Sequence, residues 1–183
     1  TAINLAASLA LLGKKVLLLD ADPQANATSG LGFDIDLEGI YECIIGEKQA
    51  EEVILHCADV KKLWLLPSSI DLVAADAELP KMEDSHFVVK KIIDQVRDKY
   101  DYIFVDCPPI DVVADASIVT KLSDMTVFIV RAGLLDKRMV PVLADLNASG
   151  RFTRMAVVLN GVDVESRGYG SYGYRYGYGN MKK

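Results

Sequence analysis

Residues 16–24, VLLLDADPQ, give the clearest indication of the fold of this chain. The first four of these residues, VLLL, form a continuous apolar run, which predicts a strand buried on both faces, as in parallel sheets covered by helices. Asp20 and Asp22 follow at the carboxyl end of that strand. Carboxylates are costly to bury unless they are paired, hydrogen-bonded or metal-bound, so the pair favours chemistry over packing. The alternative is that both residues cap the turn that follows through Pro23-Gln24-Ala25-Asn26.

Further apolar runs and helical patterns surround this strand. Four more strands are predicted at residues 63–66, 103–105, 127–130 and 156–159. Helices are predicted at residues 2–12, 47–56, 71–79, 84–99, 112–122 and 136–149. This alternation predicts an α/β fold with a doubly wound, mostly parallel sheet flanked by helices. Such sheets place ligands outside the carboxyl ends of their strands, where Asp20, Asp22 and Asp106 fall.

A second motif, YDYIFVDCPP at residues 100–109, ends its predicted strand at Asp106. Two prolines follow and end the strand pairing. A carboxylate in this place can hold Mg²⁺ through water beside a nucleotide. The alternative is a strand-end Asp that is bonded to nearby backbone. Because the two motifs occur together, we expect their carboxylates to lie in the same crevice.

Length and composition describe one globular domain with a tail. The chain has 183 residues, 51% of them hydrophobic and 25% charged, and we predict a domain over residues 1–166. The net charge of -6 argues against broad attraction to nucleic acid or anionic lipid, so a polyanion partner would need a local basic patch. Cys43, Cys57 and Cys107 have no CxxC spacing and are odd in number. They fit neither a disulfide framework nor a zinc site, which favours a reducing cytoplasm.

The tail, residues 167–183, has the sequence RGYGSYGYRYGYGNMKK and no apolar periodicity, which predicts disorder. It holds five of the eight tyrosines, Tyr169, Tyr172, Tyr174, Tyr176 and Tyr178. One interpretation is a set of phosphoacceptors, since each phosphate adds nearly two negative charges and can loosen contacts between subunits. The other is a sticky disordered terminus without a further role.

The two motifs resemble the switch (Walker A′) and Walker B elements of the ParA/MinD superfamily of deviant P-loop ATPases. Residues 1–79, with TAINLAASLALLGKKVLLLDADPQANATSGLG, YECIIG and LPSSIDLVAADAEL, resemble partitioning ATPases of the ParA/Soj type. Residues 84–179, with YDYIFVDCPPIDVVADASIV, VFIVRAGLLDKRMVPVL and MAVVLNGVD, resemble the cytoplasmic domain of bacterial tyrosine kinases of the capsule or exopolysaccharide type. A junction near residues 80–84 would make the chain composite.

The resemblance implies a nucleotide site whose phosphate loop precedes Thr1. In both families a KGGVGKTT-like loop comes directly before the TAINLAA segment, and the 183 residues contain no GxxxxGK[ST] motif. We therefore expect the first strand and the Walker A loop to be absent, with little or no ATP binding or turnover. In an intact form with ATP and Mg²⁺, Asp22 would be catalytic, with Asp20 supporting catalysis and the metal. Asp106 would bind the metal through water, and Asn160 would contact the adenine. The alternative for Asn160 is a turn residue, since a lone Asn after a strand is as often found in a turn.

The resemblance supports two functions. The first is an autophosphorylating, ATP-dependent tyrosine kinase, inactive without its loop, which pairs with a membrane-spanning adaptor of polysaccharide export. The alternative is a chromosome- or plasmid-partitioning ATPase that binds DNA and a centromere-binding protein. The intact form is expected to be a homo-oligomer in the cytoplasm, at the inner face of the membrane when bound to a membrane partner. A third possibility is a fragment with no activity.

Overall fold

The computed structural model describes residues 1–82, 87–109, 122–136, 138, 140–150, 152 and 154–162. The strands are β1 Val16–Asp20, β2 Leu55–His56, β3 Leu63–Leu66, β4 Tyr102–Asp106, β5 Val127–Arg131 and β6 Ala156–Asn160. The helices are α1 Ala2–Leu11, α2 Asn26–Gly30, α3 Ile40–Ile45, α4 Ala50–Val53, α5 Leu72–Glu78, α6 Val88–Val96 and α7 Val140–Ala148. Short 3₁₀ turns follow α5 at Leu79–Lys81 and α6 at Arg97–Lys99.

The described strands form two sheets. Four strands make the first sheet in the order β2-β3-β1-β4, with β1 parallel to both β3 and β4. The two-residue β2 adds an antiparallel edge to β3. The parallel strands β5 and β6 form the second sheet. The predicted α/β fold with a mostly parallel sheet flanked by helices is confirmed.

Strand β1 lies at the centre of the core, and all five of its residues are buried. Because side chains alternate along a strand, its residues serve two apolar layers. Leu17 and Leu19 pack into the cluster that contains residues of α3, α4 and α6. Val16 and Leu18 pack on the opposite face with Ala6 and Ala10 of α1. The continuous VLLL run is therefore explained by helices on both faces.

The structure corrects one predicted helix. The pattern predicted a helix over residues 47–56, whereas α4 is four residues long and Leu55–His56 is a strand. His56 packs edge-on against Trp64 of β3, with ring centroids 5.3 Å apart. Pairing with β3 therefore outweighs the local helical pattern here.

Several predictions lie outside the described residues. They are the whole tail, residues 167–183, and nearly all of the helix predicted at 112–122. Within the described ranges, no helix combines the length and apolar character needed to cross a bilayer.

Candidate functional site

The three carboxylates predicted from the sequence meet at one edge of the first sheet. Strands β1 and β4 are parallel and in register, and Asp20 pairs with Asp106 at their carboxyl ends. The amide of Ala21 donates a hydrogen bond of 2.8 Å to the carbonyl oxygen of Asp106, so the two strand ends stay joined beyond the sheet. Asp22 follows one residue later. This edge is the place where parallel α/β sheets bind their ligands.

Asp20 is the most deeply buried of the three, with 0% of its surface exposed. Its Oδ2 accepts hydrogen bonds from the amide and the hydroxyl of Thr28, at 2.8 and 2.7 Å. Its Oδ1 accepts a bond of 3.2 Å from the amide of Asp22. These donors offset the cost of burying a carboxylate. Asp20 thus fastens α2 to the end of β1, and its predicted catalytic and metal-binding roles stay predictions.

Thr28 extends the network to the loop after β3. Its hydroxyl oxygen accepts a hydrogen bond of 3.0 Å from the amide of Ser68. The hydroxyl of Ser68 is itself buried and has no hydrogen-bond partner in the described part of the chain. One residue earlier, the carbonyl oxygen of Pro67 accepts a bond of 2.9 Å from the amide of Ile40, at the start of α3. The network therefore connects β1, α2, the loop after β3 and α3.

Thr28 and Ser68 are not among the site residues predicted from the sequence. The available signal is weak: each is a hydroxyl residue in a short segment, ATSG or PSS, that follows a predicted strand. Such segments more often form turns or helix caps than buried networks.

Asp22 begins a tight turn in front of α2. Its carbonyl oxygen accepts a bond of 2.8 Å from the amide of Ala25, and its Oδ1 accepts one of 3.0 Å from the amide of Gln24. Ala25 has φ 50 and ψ 37, in the left-handed region that residues other than glycine seldom adopt. Asp22 is half-buried, so part of this residue remains exposed to solvent at the sheet edge.

The electrostatic environment of this edge disfavours negative charge. Burial raises the pKa of Asp106 above its usual range, and the nearby carboxylates of Asp20 and Asp22 raise it further. The ammonium group of Thr1 acts in the opposite direction, which places the start of α1 beside Asp106. Burial, with Asp106 and Asp22, also raises the pKa of the Cys107 thiol to about 11. A cation at this edge would relieve the repulsion.

The side chains at this edge fit a magnesium ion held by few protein ligands. The described residues contain no group of three or more His, Cys, Asp or Glu side chains arranged to hold a metal. Mg²⁺ commonly binds through one or two carboxylates, with water and substrate phosphates completing its shell. Asp106 and Asp22 can supply those carboxylates, whereas both oxygens of Asp20 already accept hydrogen bonds from the chain.

Asn160 lies at the carboxyl end of β6 and contacts the start of α1. Its Nδ2 donates a hydrogen bond of 2.9 Å to the hydroxyl oxygen of Thr1. Its Oδ1 accepts a bond of 2.8 Å from the amide of Gly161. Since Thr1 is also close to Asp106, the structure brings Asn160 to the same edge as the carboxylates. The predicted phosphoacceptors Tyr169, Tyr172, Tyr174, Tyr176 and Tyr178 lie outside the described residues.

Replacing Asp106 with asparagine is expected to raise the melting temperature at neutral pH. Because the folded-state pKa of Asp106 is raised, the folded chain binds more protons than the unfolded chain between the ordinary carboxyl pKa and the raised value. Stability is therefore lost as pH rises through that window, and the Asp106→Asn variant avoids this loss. Thermal unfolding followed by circular dichroism at acid and neutral pH measures the difference.

The matched control is Asp136→Asn, because a hydrogen bond from Arg138 lowers the pKa of exposed Asp136. That variant should gain no stability at neutral pH. A lower melting temperature for Asp106→Asn than for the unaltered chain at neutral pH would contradict the prediction.

Comparison with known proteins identifies the family of this chain. A family model described as an AAA domain matches residues 1–133. The chromosome-partitioning ATPase Soj of Treponema pallidum (strain Nichols) is 46% identical over 109 residues, which is 60% of this chain and 42% of that protein. The chain thus spans less than half the length of this curated relative. The relative's name agrees with the partitioning-ATPase alternative better than with the tyrosine kinase.

Solved structures agree on the fold. The cobyrinic acid a,c-diamide synthase of Mycobacterium smegmatis with bound ATP analog and magnesium matches with a TM-score of 0.69 and 22% identity, over 85% of this chain and 64% of that one. The kinase domain of the Escherichia coli tyrosine kinase ETK matches with a TM-score of 0.70 and 24% identity, over 94% of this chain and 66% of that one. At these identities the likeness to a kinase concerns the fold alone. The family-model match, together with the paired strand-end carboxylates, shows that this chain belongs to the AAA domain family and resembles the ParA/MinD-type P-loop ATPases within it.

Proposed function

We propose that this chain is the switch and Walker B part of an ATP-dependent partitioning ATPase of the Soj/ParA type, with Mg²⁺ as its cofactor. The observation that carries the proposal is the pairing of Asp20 with Asp106 at one sheet edge, beside Asp22 and the start of α1. The identity to a partitioning ATPase supports this function over the tyrosine kinase, which is the first function implied by the sequence resemblance.

Each residue at the edge has a separate role in this proposal. Asp22 orients the attacking water, since this residue is half-buried and lies near Asp106 at the same edge. Asp106 would hold Mg²⁺, which would supply positive charge beside the phosphates. Asp20 keeps α2 against β1 so that Asp22 stays in place. Asn160, beside Thr1, contacts the adenine base.

The phosphates require donors in addition to these carboxylates. The first turn of α1 contributes amides that the helix itself leaves unpaired, and the positive end of its dipole faces the same edge. A glycine-rich loop in front of Thr1 would complete the cradle, because the backbone amides and lysine of such a loop hold the phosphates.

Nucleotide binding tests the proposal. A version with a KGGVGKTT-type loop and its strand in front of Thr1 should bind a fluorescent ATP analogue with Mg²⁺. The Asp106→Asn variant should weaken this binding in the presence of Mg²⁺ and leave it unchanged when Mg²⁺ is chelated. Asp36→Asn is the matched control, because Asp36 is exposed and lies in the loop between α2 and α3. No nucleotide binding by the folded, loop-bearing protein would overturn the proposed function.

Partners follow from the same proposal. We infer that the intact protein forms a homo-oligomer in the cytoplasm and binds DNA and a centromere-binding protein. With a net charge of -6, DNA binding would depend on a local basic surface. Retention of duplex DNA on a filter, measured with and without ATP, checks this inference.

A tyrosine kinase is the second candidate, because five tyrosines are clustered between residues 169 and 178. In that case the loop-bearing protein would phosphorylate its own tail and pair with a membrane-spanning adaptor of polysaccharide export, at the inner face of the membrane. Mass-spectrometric mapping of phosphotyrosine after incubation with Mg-ATP separates the candidates. Phosphotyrosine that disappears in the Asp22→Asn variant would establish the kinase, whereas ATP hydrolysis without phosphotyrosine supports the partitioning ATPase.

A further inference from the structure

We propose that the amino-terminal edge of the first sheet is a contact surface for an anionic lipid bilayer. The surface, here called the basic edge, consists of two leucines at the end of α1 and two lysine pairs that precede β1 and β3. Its residues are Leu11, Leu12, Lys14, Lys15, Lys61 and Lys62. It lies at the opposite edge of the sheet from Asp20, Asp22 and Asp106.

Turn geometry brings these residues together. Helix α1 ends at Leu11, and Gly13 follows with φ 90, which turns the chain into β1. Lys62 Nζ donates a hydrogen bond of 2.6 Å to the carbonyl oxygen of Gly13. The carbonyl oxygen of Lys62 accepts a bond of 2.9 Å from the amide of Val16. The pair before β3 is therefore held directly beside the pair before β1.

The two leucines of the basic edge expose apolar side chains to water, which is unfavourable. Leu11 is 77% exposed and Leu12 is 78% exposed, and they are adjacent in sequence. A single exposed leucine is ordinary on a protein surface. Two adjacent leucines at a helix end, next to four lysines, have the composition of a peripheral membrane contact, where apolar side chains enter the boundary of the headgroups.

The charge of the basic edge complements an anionic surface. Asp101 accepts a hydrogen bond from the amide of Lys15, and Asp59 precedes Lys61 by two residues, so two carboxylates accompany the four lysines in these segments. An excess of positive charge therefore remains in a chain whose net charge is -6. Within the described part, Lys14, Lys15 and Lys61 form no ion pair.

A bilayer fits this surface better than duplex DNA does. DNA phosphates would contact the lysines, but they offer no apolar partner for Leu11 and Leu12. An anionic bilayer offers both, because its headgroups attract lysine and its acyl boundary accepts leucine. Contact through this edge would leave the far edge of the sheet, where the carboxylates lie, uncovered by the bilayer.

Vesicle flotation tests the proposal on the chain as it is, without nucleotide. The chain should float with vesicles of phosphatidylcholine mixed with phosphatidylglycerol and stay behind with vesicles of phosphatidylcholine alone. The triple variant Lys14→Gln, Lys15→Gln, Lys61→Gln should lower the partition coefficient on the order of a hundredfold. Lys62 is left unchanged because it caps Gly13. Raising the ionic strength should release the unaltered chain, since exposed charges are screened.

The leucines are tested separately with Leu11→Ser, Leu12→Ser. This double variant should also lose binding, whereas Leu134→Ser should retain it, because Leu134 is 73% exposed on the segment after β5. Circular dichroism confirms that each variant is folded. Equal binding to neutral vesicles, no binding to anionic vesicles, or full binding by the leucine variant would each overturn the proposal. So would binding of duplex DNA that depends on the lysines but not on the leucines. None of these outcomes depends on ATP binding, so they leave the proposed function to its own test.

Discussion

Replacing Asp20 with alanine is expected to lower the free energy of unfolding by about 3 to 5 kcal/mol. The substitution removes the acceptor of three hydrogen bonds and leaves the amide and hydroxyl of Thr28 and the amide of Asp22 without that partner. Two of these donors belong to Thr28, which is 0% exposed, so they are buried. The loss is a large share of the roughly 5 to 15 kcal/mol that stabilises a typical domain. Urea denaturation followed by circular dichroism measures it.

Variants of Asp22 and Thr28 test whether the loss of stability comes from the hydrogen bonds of Asp20. Asp22→Ala removes one bond to an exposed amide and should cost less than about 1 kcal/mol. Thr28→Ser keeps the hydroxyl and should cost far less than Thr28→Val, which leaves Asp20 with one donor fewer. If Asp20→Ala costs no more than Asp22→Ala, the hydrogen bonds of Asp20 do not hold α2 on β1.

In a loop-bearing version, Asp22→Asn is expected to lower ATP turnover by roughly 10² to 10⁴-fold, the usual contribution of a positioned acid-base group. The affinity for ATP should change little. Asparagine preserves the size of the side chain and its acceptor for the amide of Gln24, so the turn before α2 remains. It cannot carry the negative charge that orients or deprotonates a nucleophile. The turnover rate and the dissociation constant of a fluorescent ATP analogue separate the two effects.

The control for Asp22 is Asp36→Asn, an exposed carboxylate on the loop between α2 and α3. It should retain full turnover. A loss of affinity in Asp22→Asn as large as the loss of turnover would indicate that Asp22 binds nucleotide, and it would contradict the catalytic role.

The sequence predicted the parallel sheet and the grouping of carboxylates because both follow from local patterns. The VLLL run before Asp20 implies burial on two faces, and helices do cover both faces of β1. In a parallel sheet all carboxyl ends lie at one edge. Because both strands end in Asp, the proximity of Asp20 and Asp106 can be predicted without information on long-range contacts.

The buried network could not be predicted in the same way. Thr28 meets the amide of Ser68 across 40 positions of sequence, and nothing in ATSG or PSS indicates that partner. Strand β2 was missed for a related reason, since two residues in a helical pattern became a strand by pairing with β3. Contacts between distant segments decided both features, and such contacts leave little trace in local periodicity.

The left-handed conformation of Ala25 limits how the chain can vary by mutation. Only 1% of the surface of Ala25 is exposed, so this position has little room for a larger side chain. Its φ of 50 is a backbone conformation that β-branched residues avoid. Glycine adopts this conformation freely, and asparagine and aspartate adopt it more readily than other residues. A library of variants selected for folding should therefore be nearly restricted to alanine, glycine and a few small polar residues at position 25. The neighbouring position 24 is exposed and should accept a much broader set.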